Sequence, residues 1–451
     1  MSEAVATQQQ ELAGKYHPYP EYKDSGVIWS GFIPSHWEPI RFKHVFVEKP
    51  KTSNTELPAG SISFGKVVFK DEEKLAEETK ASYQEVKVGE FLVNPLNLNF
   101  DLKSLRTALS DIDVVVSTGY IVLQCYRQLE ARYARWLLHE FDVAHMKSLG
   151  AGVRQTIGFN DIGNSYFCMP QLEEQQTIAA FLDYETARID RLIAKQQQLI
   201  ELLKEKRQAV ISHAVTKGLN PDAPMKDSGI EWLGQVPEHW VVSDLSYTLS
   251  AIADIDHYMP ESVDIGVPYL MTGDLKNFAH EIDFSECKQV SYVEYGKLSR
   301  KIQASIGDVI VARYATIGTA TYVDIDKEFL VSYACVTVKP NLHKVAGLYL
   351  YYFIKSHSFL EGLLNKVNTN TQGNVGINDL KKVKISLPDV QEQGEVVLYL
   401  ESITKKIDSL SRQAERAITL MNERRTALIS AAVTGKIDLR GWTAPTDEVV
   451  A

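Results

Sequence analysis

Several groups of residues in this chain have the types that reactions use, and each falls short of a reaction site. Asn94-Pro95-Leu96-Asn97 begins like the Asn/Asp-Pro-Pro-aromatic tetrapeptide with which amino-methyltransferases hold a target amine. It fails at two of four places and reads as a turn. Glu-x-Lys triplets, which gather a cation in metal-dependent nucleases, occur at Glu72-Glu73-Lys74, Glu85-Val86-Lys87 and Glu286-Cys287-Lys288. None has a Pro-Asp upstream at useful spacing, and acidic chains produce such triplets by chance. His139-Glu140 opens like a HExxH zinc site, but Val143 stands where the second histidine is needed. The sequence has no FxGxG or GxGxxG loop for a cofactor and no GxxxxGK[ST] loop for nucleotide phosphates. His36 and His239 flank Trp37 and Trp240 and read as packed or capping histidines. The expectation is a chain with no catalytic residues, no metal site and no cofactor of its own.

The bulk properties set the frame. At 451 residues the chain holds about three domains, and 45% apolar residues are ordinary for a protein with sizeable cores. Net charge is −10, so any attraction to nucleic acid must come from local basic patches. The first fifteen residues are polar and do not read as a signal peptide. No apolar run approaches the roughly 18 residues of a membrane span. Cys125, Cys168, Cys287 and Cys335 form no CxxC pair and read as small buried apolar residues. A reducing, cytoplasmic location is expected.

The chain repeats itself. Residues 23–37 (KDSGVIWSGFIPSHW) and 226–240 (KDSGIEWLGQVPEHW) agree at 9 of 15 positions at an offset of 203. Residues 170–218 match 388–436 at an offset of 218, sharing Pro170/Pro388, Glu174/Glu392, Gln175/Gln393, Ile189/Ile407, Asp190/Asp408, Arg207/Arg425 and Thr216/Thr434. The stretches between the repeated blocks, 38–169 and 241–387, are dissimilar overall. Two echoes survive: Gly89-Glu90-Phe91-Leu92-Val93 against Gly307-Asp308-Val309-Ile310-Val311, and Gly158-Phe159-Asn160-Asp161 against Gly376-Ile377-Asn378-Asp379. The plan is constant, variable, constant, twice over. The variable stretches read as mixed α/β, with strands in 113–124 and 307–318 and short helices in 132–139 and 348–353.

Each second constant block predicts a long helix. Pro170 and Pro388 open them, acidic residues suit their first turns, and Gly218 with Pro221, and Gly435, close them. A heptad seam is expected along Ile178, Leu182, Glu185, Ile189, Leu192, Gln196, Leu199, Leu203, Lys206 and Val210. The second seam follows Val396, Leu400, Ile403, Ile407, Leu410, Ala414, Ala417, Met421, Arg424 and Leu428. About 40 helical residues span on the order of 60 Å. Seven acids balance seven bases in 170–218, so these helices suit a spacer or partner-facing role rather than a DNA clasp. The two helices of a tandem repeat are expected to run antiparallel about a pseudo-twofold axis.

The two KDSG-x-x-W-x-G-x-x-P-x-H-W segments, the helices opening with P-x-x-x-E-Q and the paired variable blocks resemble the specificity subunit of type I restriction-modification systems (the S subunit, HsdS family). The likeness covers roughly 20–440. It implies a mixed α/β fold with two target recognition domains, 38–169 and 241–387, joined by spacer helices 170–218 and 388–435 in an antiparallel coiled coil. Segments 1–37 and 219–240 are constant, and 436–451 is a tail. It further implies a non-catalytic, DNA-binding chain that reads a split target in double-stranded DNA. Its partners are two modification (methyltransferase) subunits carrying S-adenosylmethionine, together with restriction subunits using ATP and Mg²⁺. An adaptor paralogue that no longer reads DNA and a stand-alone DNA-modifying enzyme are the alternatives. Two half-sites about one helical turn apart suit a dimer-like reader.

Base reading needs forked donors or amides. In the first variable block the polar stretch 150–158 offers Arg154, Gln155 and Thr156; in the second, 368–376 offers Thr369, Asn370, Thr371, Gln372 and Asn374. Lys66, Lys276, Arg313 and Tyr314 are second choices, and Lys381, Lys382 and Lys384 form a small basic run.

Overall fold

The computed structural model describes residues 16–73, 75–96, 105–126, 128–149, 156–314, 317–365 and 375–445. The chain forms two compact units, one of residues 1–196 with 416–451 and the other of 197–415. Both long helices form, at Leu172–Lys217 and Val390–Val433. Each contributes one segment to each unit.

In the first unit the strands Glu38–Arg41 and Tyr166–Met169 pair antiparallel where the variable block begins and ends. Inside the block lies a four-stranded antiparallel sheet in the order Phe46–Glu48, Ile121–Cys125, Phe91–Val93, Thr107–Leu109. The second unit repeats this plan. Val241–Asp244 pairs with Lys384–Leu387, and the sheet runs Leu249–Ala253, Cys335–Pro340, Val309–Ala312, Ala320–Tyr322. The variable blocks, unlike in sequence, therefore share a core. Alternation explains why so little sequence betrays it. Phe91 and Val93 point into one apolar cluster and Leu92 into another. Val309 and Val311 likewise part from Ile310 and Ala312. An inner strand covered on both faces asks for apolar residues but not for one particular set of them. The first echo marks an inner strand of each sheet, entered in both copies through a left-handed glycine, Gly89 (φ +87°) and Gly307 (φ +93°), and the second marks the short helices Phe159–Asn164 and Ile377–Lys381.

The periphery differs. The first unit adds a hairpin of Gly60–Ser63 and Lys66–Phe69 and a pair of Gln84–Val86 with Val114–Val116. The second adds a three-stranded sheet of Lys288–Val290, Val267–Leu270 and Leu330–Val331. The expected strand over 113–124 is two strands, Val114–Val116 and Ile121–Cys125, in different sheets. Helix Ala131–Ala144 packs on the first sheet; Gly347–Ile354 and His357–Leu364 serve the second. The four cysteines are free, three of them buried.

The seam needs correction. Ile178, Leu182, Ile189, Leu203, Val396, Leu400, Ile407 and Leu428 are buried, and Val210 and Met421 partly so. Leu192, Leu199 and Leu410 are exposed. The residues turned inward there are Ile193, Ile200 and Ser411 instead, and Arg207 and Arg425 replace Lys206 and Arg424. The cause is geometric. Steps of 3.6 residues from Leu182 fall within a residue of Thr186, Ile189, Ile193, Gln196, Ile200, Leu203, Arg207, Ile211 and Ala214. A heptad repeat lags a 3.6-residue helix, so Leu192, Leu199, Lys206, Leu410 and Arg424 each stand one residue before the inward position, while Glu185, Gln196, Ile403, Ala414 and Ala417 keep it.

Candidate nucleic-acid interface and its frame

The repeated residues build a clasp at the start of each long helix. In the first unit the Glu174 carboxylate is buried and accepts from the Tyr19 hydroxyl and from Trp37 Nε1 (3.1 Å), with His36 Nε2 at 3.0 Å. In the second, Glu392 accepts from Trp240 Nε1 (3.1 Å), with His239 Nε2 at 2.8 Å. Burial, then the bond to Glu174, pushes the Tyr19 phenol far above its ordinary value. The neighbouring glutamine works the same way twice. Gln175 donates to Pro170 O (3.0 Å) and Gln128 O (3.3 Å) and accepts from Glu130 N (2.9 Å). Gln393 donates to Pro388 O (3.0 Å) and Lys344 O (2.9 Å) and accepts from Ala346 N (2.8 Å). Glu130 and Ala346 are the residues that precede the domain helices, so each glutamine ties a domain to its spacer helix. His36 and His239 are thus held against carboxylates in a structural cluster.

The far ends of the helices close on the same block. Gly435 (φ +70°) lies against Pro34 and Trp37, where an added Cβ would stand 2.4 Å from the proline ring. Gly218 (φ +75°) lies likewise against Trp240 and Pro237. Positive φ and close approach together require glycine.

These contacts fix direction. In the first unit Gly435 meets Trp37, which bonds Glu174, while Asp190 pairs with Arg425 (3.1 Å). In the second, Gly218 lies near Glu392 while Arg207 pairs with Asp408 (2.7 Å). In each unit the two helical segments run antiparallel. The Asp and Arg of one repeat are paired crosswise with the Arg and Asp of the other.

The expected reading residues divide three ways. Arg154, Gln155, Thr369, Asn370, Thr371, Gln372 and Asn374 lie outside the described residues. Thr156, Lys66 and Lys276 are exposed. Arg313 is buried, and its guanidinium binds Asp254 (2.8 Å), Tyr333 O (3.1 Å) and Val375 O (3.4 Å). Both terminal nitrogens are held inside the protein, which corrects the expectation of Arg313 as a base reader. Tyr314 packs under the same guanidinium, 5.3 Å from ring centre to Cζ. Lys384 pairs with Asp244 (2.9 Å). Asp254 also accepts from Lys301 (3.0 Å) and has His257 Nε2 at 2.8 Å. Burial pushes its carboxyl up, but the bonds from His257 and Lys301 and the nearby cations outweigh it and hold the pKa low.

Two features escaped the sequence. One is the turn Phe64-Gly65, signalled by a residue–glycine pair between alternating strands. The other is Glu140, whose buried carboxyl accepts from Ser430 Oγ (2.7 Å) on the second long helix. Burial pushes it up to about 7, against the bond from Ser430. Beside it, burial and then the charges of Arg425 and Arg135 push His139 down to about 4. The pair that resembled a zinc motif is interior packing. Asn94 Oδ1 accepts from Leu96 N (3.1 Å), a local turn. Among the described residues no cluster of His, Cys, Asp and Glu is arranged to hold a metal ion, and no helix is long and apolar enough to cross a membrane.

Each unit thus carries the same clasp, the same helix pairing and the same sheet order, with different peripheral strands, which defines a duplicated mixed α/β protein. The family model for the type I restriction modification DNA specificity domain matches residues 34–202 and 256–420, most of the chain, and the chain belongs to that family. It is similar to the EcoKI specificity subunit of Escherichia coli K12, 25% identical over 293 residues, which is 63% of this chain and 60% of that one. It is also similar to the EcoBI specificity subunit of Escherichia coli, 22% identical over 290 residues, again 63% and 60%. The match thus spans about 60% of the length of these relatives. A chain in a solved structure concerned with complex assembly and conformational transition of the type I R-M system superposes with TM-score 0.63 at 17% identity, covering 89% of this chain and 98% of that one. That likeness is one of fold.

Proposed function

We propose that this chain reads a bipartite DNA target, one half through each variable domain, and docks two modification subunits and, where present, restriction subunits. It does no chemistry itself. S-adenosylmethionine belongs to the modification subunits, and ATP and Mg²⁺ to the restriction subunits. The observation that carries this reading is the division of labour between repeat and insert. Clasp, helix pair and central sheet order recur, while the surface strands of the two domains differ. A reader of two unlike half-sites needs a constant frame and independent surfaces. The acidic total is compatible with DNA reading when partner subunits supply much of the phosphate contact.

The test is reconstitution. Purified chain with its modification subunits is expected to bind one bipartite site selectively and methylate adenines in it. The chain alone should bind weakly and turn over no S-adenosylmethionine. Methyl transfer to DNA by the chain alone would overturn the reading in favour of an enzyme. Complex formation without any sequence preference would overturn it in favour of an adaptor.

A further inference from the structure

The first unit's hairpin ends in a conformation its sequence does not favour. Gly60–Ser63 and Lys66–Phe69 pair in register, Ser63 opposite Lys66, leaving Phe64 (φ +47°) and Gly65 (φ +73°) as a two-residue turn. Both φ values are positive, the geometry that asparagine, aspartate or glycine ordinarily occupies. Gly65 has a steric reason, since a Cβ there would stand 2.8 Å from Leu105 Cδ1. Phe64 has none in the fold. It is the one described non-glycine residue with positive φ, and its side chain is 81% exposed. Strain at a bulky residue with no compensating burial points to a contact outside the chain. The base of the hairpin is fixed, because Val67 is buried with Val86, Leu92 and Val114 and Ile62 packs beside them. Lys66 is exposed one residue past the turn.

We propose that the 60–69 hairpin enters a groove of duplex DNA tip first, with the Phe64 ring pressed against base edges and the Lys66 ammonium on a flanking phosphate. The inference rests on the DNA-reading function proposed above and deepens it. A two-stranded ribbon fits the major groove, where phenylalanine makes apolar contact with base edges. The occupant is duplex DNA rather than a protein surface because the chain's family is a DNA specificity domain and the tip carries a lysine with no acid beside it in the turn. The contact belongs to the first half-site alone, since among the described residues the second unit pairs no equivalent hairpin.

The experiment uses the full chain assembled with its modification subunits. The probe is a duplex bearing the methylated site mapped in the source cell, with 2-aminopurine placed in turn in each half-site. Binding of the unsubstituted complex is expected to raise 2-aminopurine fluorescence in the first half-site. Phe64→Ala and Phe64→Asn should each weaken binding about tenfold or more and abolish that rise. Phe64→Trp should keep both. Phe64→Asn suits the turn, so its thermal midpoint should equal or exceed the parent's, which separates lost contact from lost fold. Equal affinity and fluorescence for Phe64→Asn and the parent would overturn the hairpin's role and leave DNA reading intact. Failure of the unsubstituted complex to prefer the mapped site would instead overturn the function proposed above.

Discussion

Glu174 collects three donors and Glu392 two, and the difference should be measurable. Glu174→Ala leaves the Tyr19 hydroxyl and the Trp37 N–H without their acceptor, at a cost of about 2–4 kcal/mol. Glu392 is 28% exposed, so water replaces part of what Glu392→Ala removes, and about 1–2 kcal/mol is expected. Urea unfolding of the two variants checks the order. Glu140 gives a pH signature. Its pKa is about 7 folded against an ordinary 4.5, so between those values the folded chain holds a proton the unfolded chain has lost. Stability therefore falls as pH rises through that window, by up to about 3 kcal/mol from this group. His139 acts oppositely: lowered from 6.5 to about 4, it costs stability as pH drops through that range. The two slopes oppose each other where the windows overlap. Glu140→Gln should thus melt higher than the parent at pH 8 and equal it near pH 4. The same difference at both pH values would refute the assignment.

On the long helices, which face is inward decides which substitutions matter. Ile193→Ala and Ile200→Ala should each cost about 1–2 kcal/mol, a partly buried share of the usual core penalty. Leu192→Ala and Leu199→Ala, at exposed positions, should stay within about 0.5 kcal/mol. Chemical denaturation of the four variants distinguishes the heptad seam expected from sequence from the one the helices adopt. The crosswise ion pairs set register more than strength. Asp190 is 54% exposed, so solvent screening limits its coupling with Arg425 to about 0.5 kcal/mol. Asp190→Arg with Arg425→Asp should recover what either change alone loses.

For the whole chain, modular exchange follows from where the strands pair. Glu38–Arg41 and Tyr166–Met169 pair with each other, so replacing 38–169 by another family member's block moves both partners together. The exchange should replace one half of the methylated site and leave the other unchanged, as methylome sequencing would show. Removing 192–198 together with 410–416 takes one heptad from each helix and spares both crosswise ion pairs. Spacing or assembly should change while the bases of each half-site persist; altered bases would contradict the division between frame and reader.

The sequence alone determined the duplication, the two long helices and the residues of the frame. Identical residues at fixed offsets survive where each touches many partners: Trp37 and Trp240, Glu174 and Glu392, Asp190 and Arg425 were all visible in the repeat. What they do was not visible, because Asp190 meets Arg425 and not the Arg207 of its own repeat, and only a folded chain brings residues that far apart together. The common sheet of the variable blocks was hidden for a related reason. A strand buried on both faces asks for apolar side chains but not for particular ones, so topology outlives sequence. Tertiary structure likewise moved the inward face by one residue at Leu192, Leu199, Lys206, Leu410 and Arg424, drew Arg313 inside and left Phe64 outside. Burial is a property of the surroundings, and residue type sets only a preference for it.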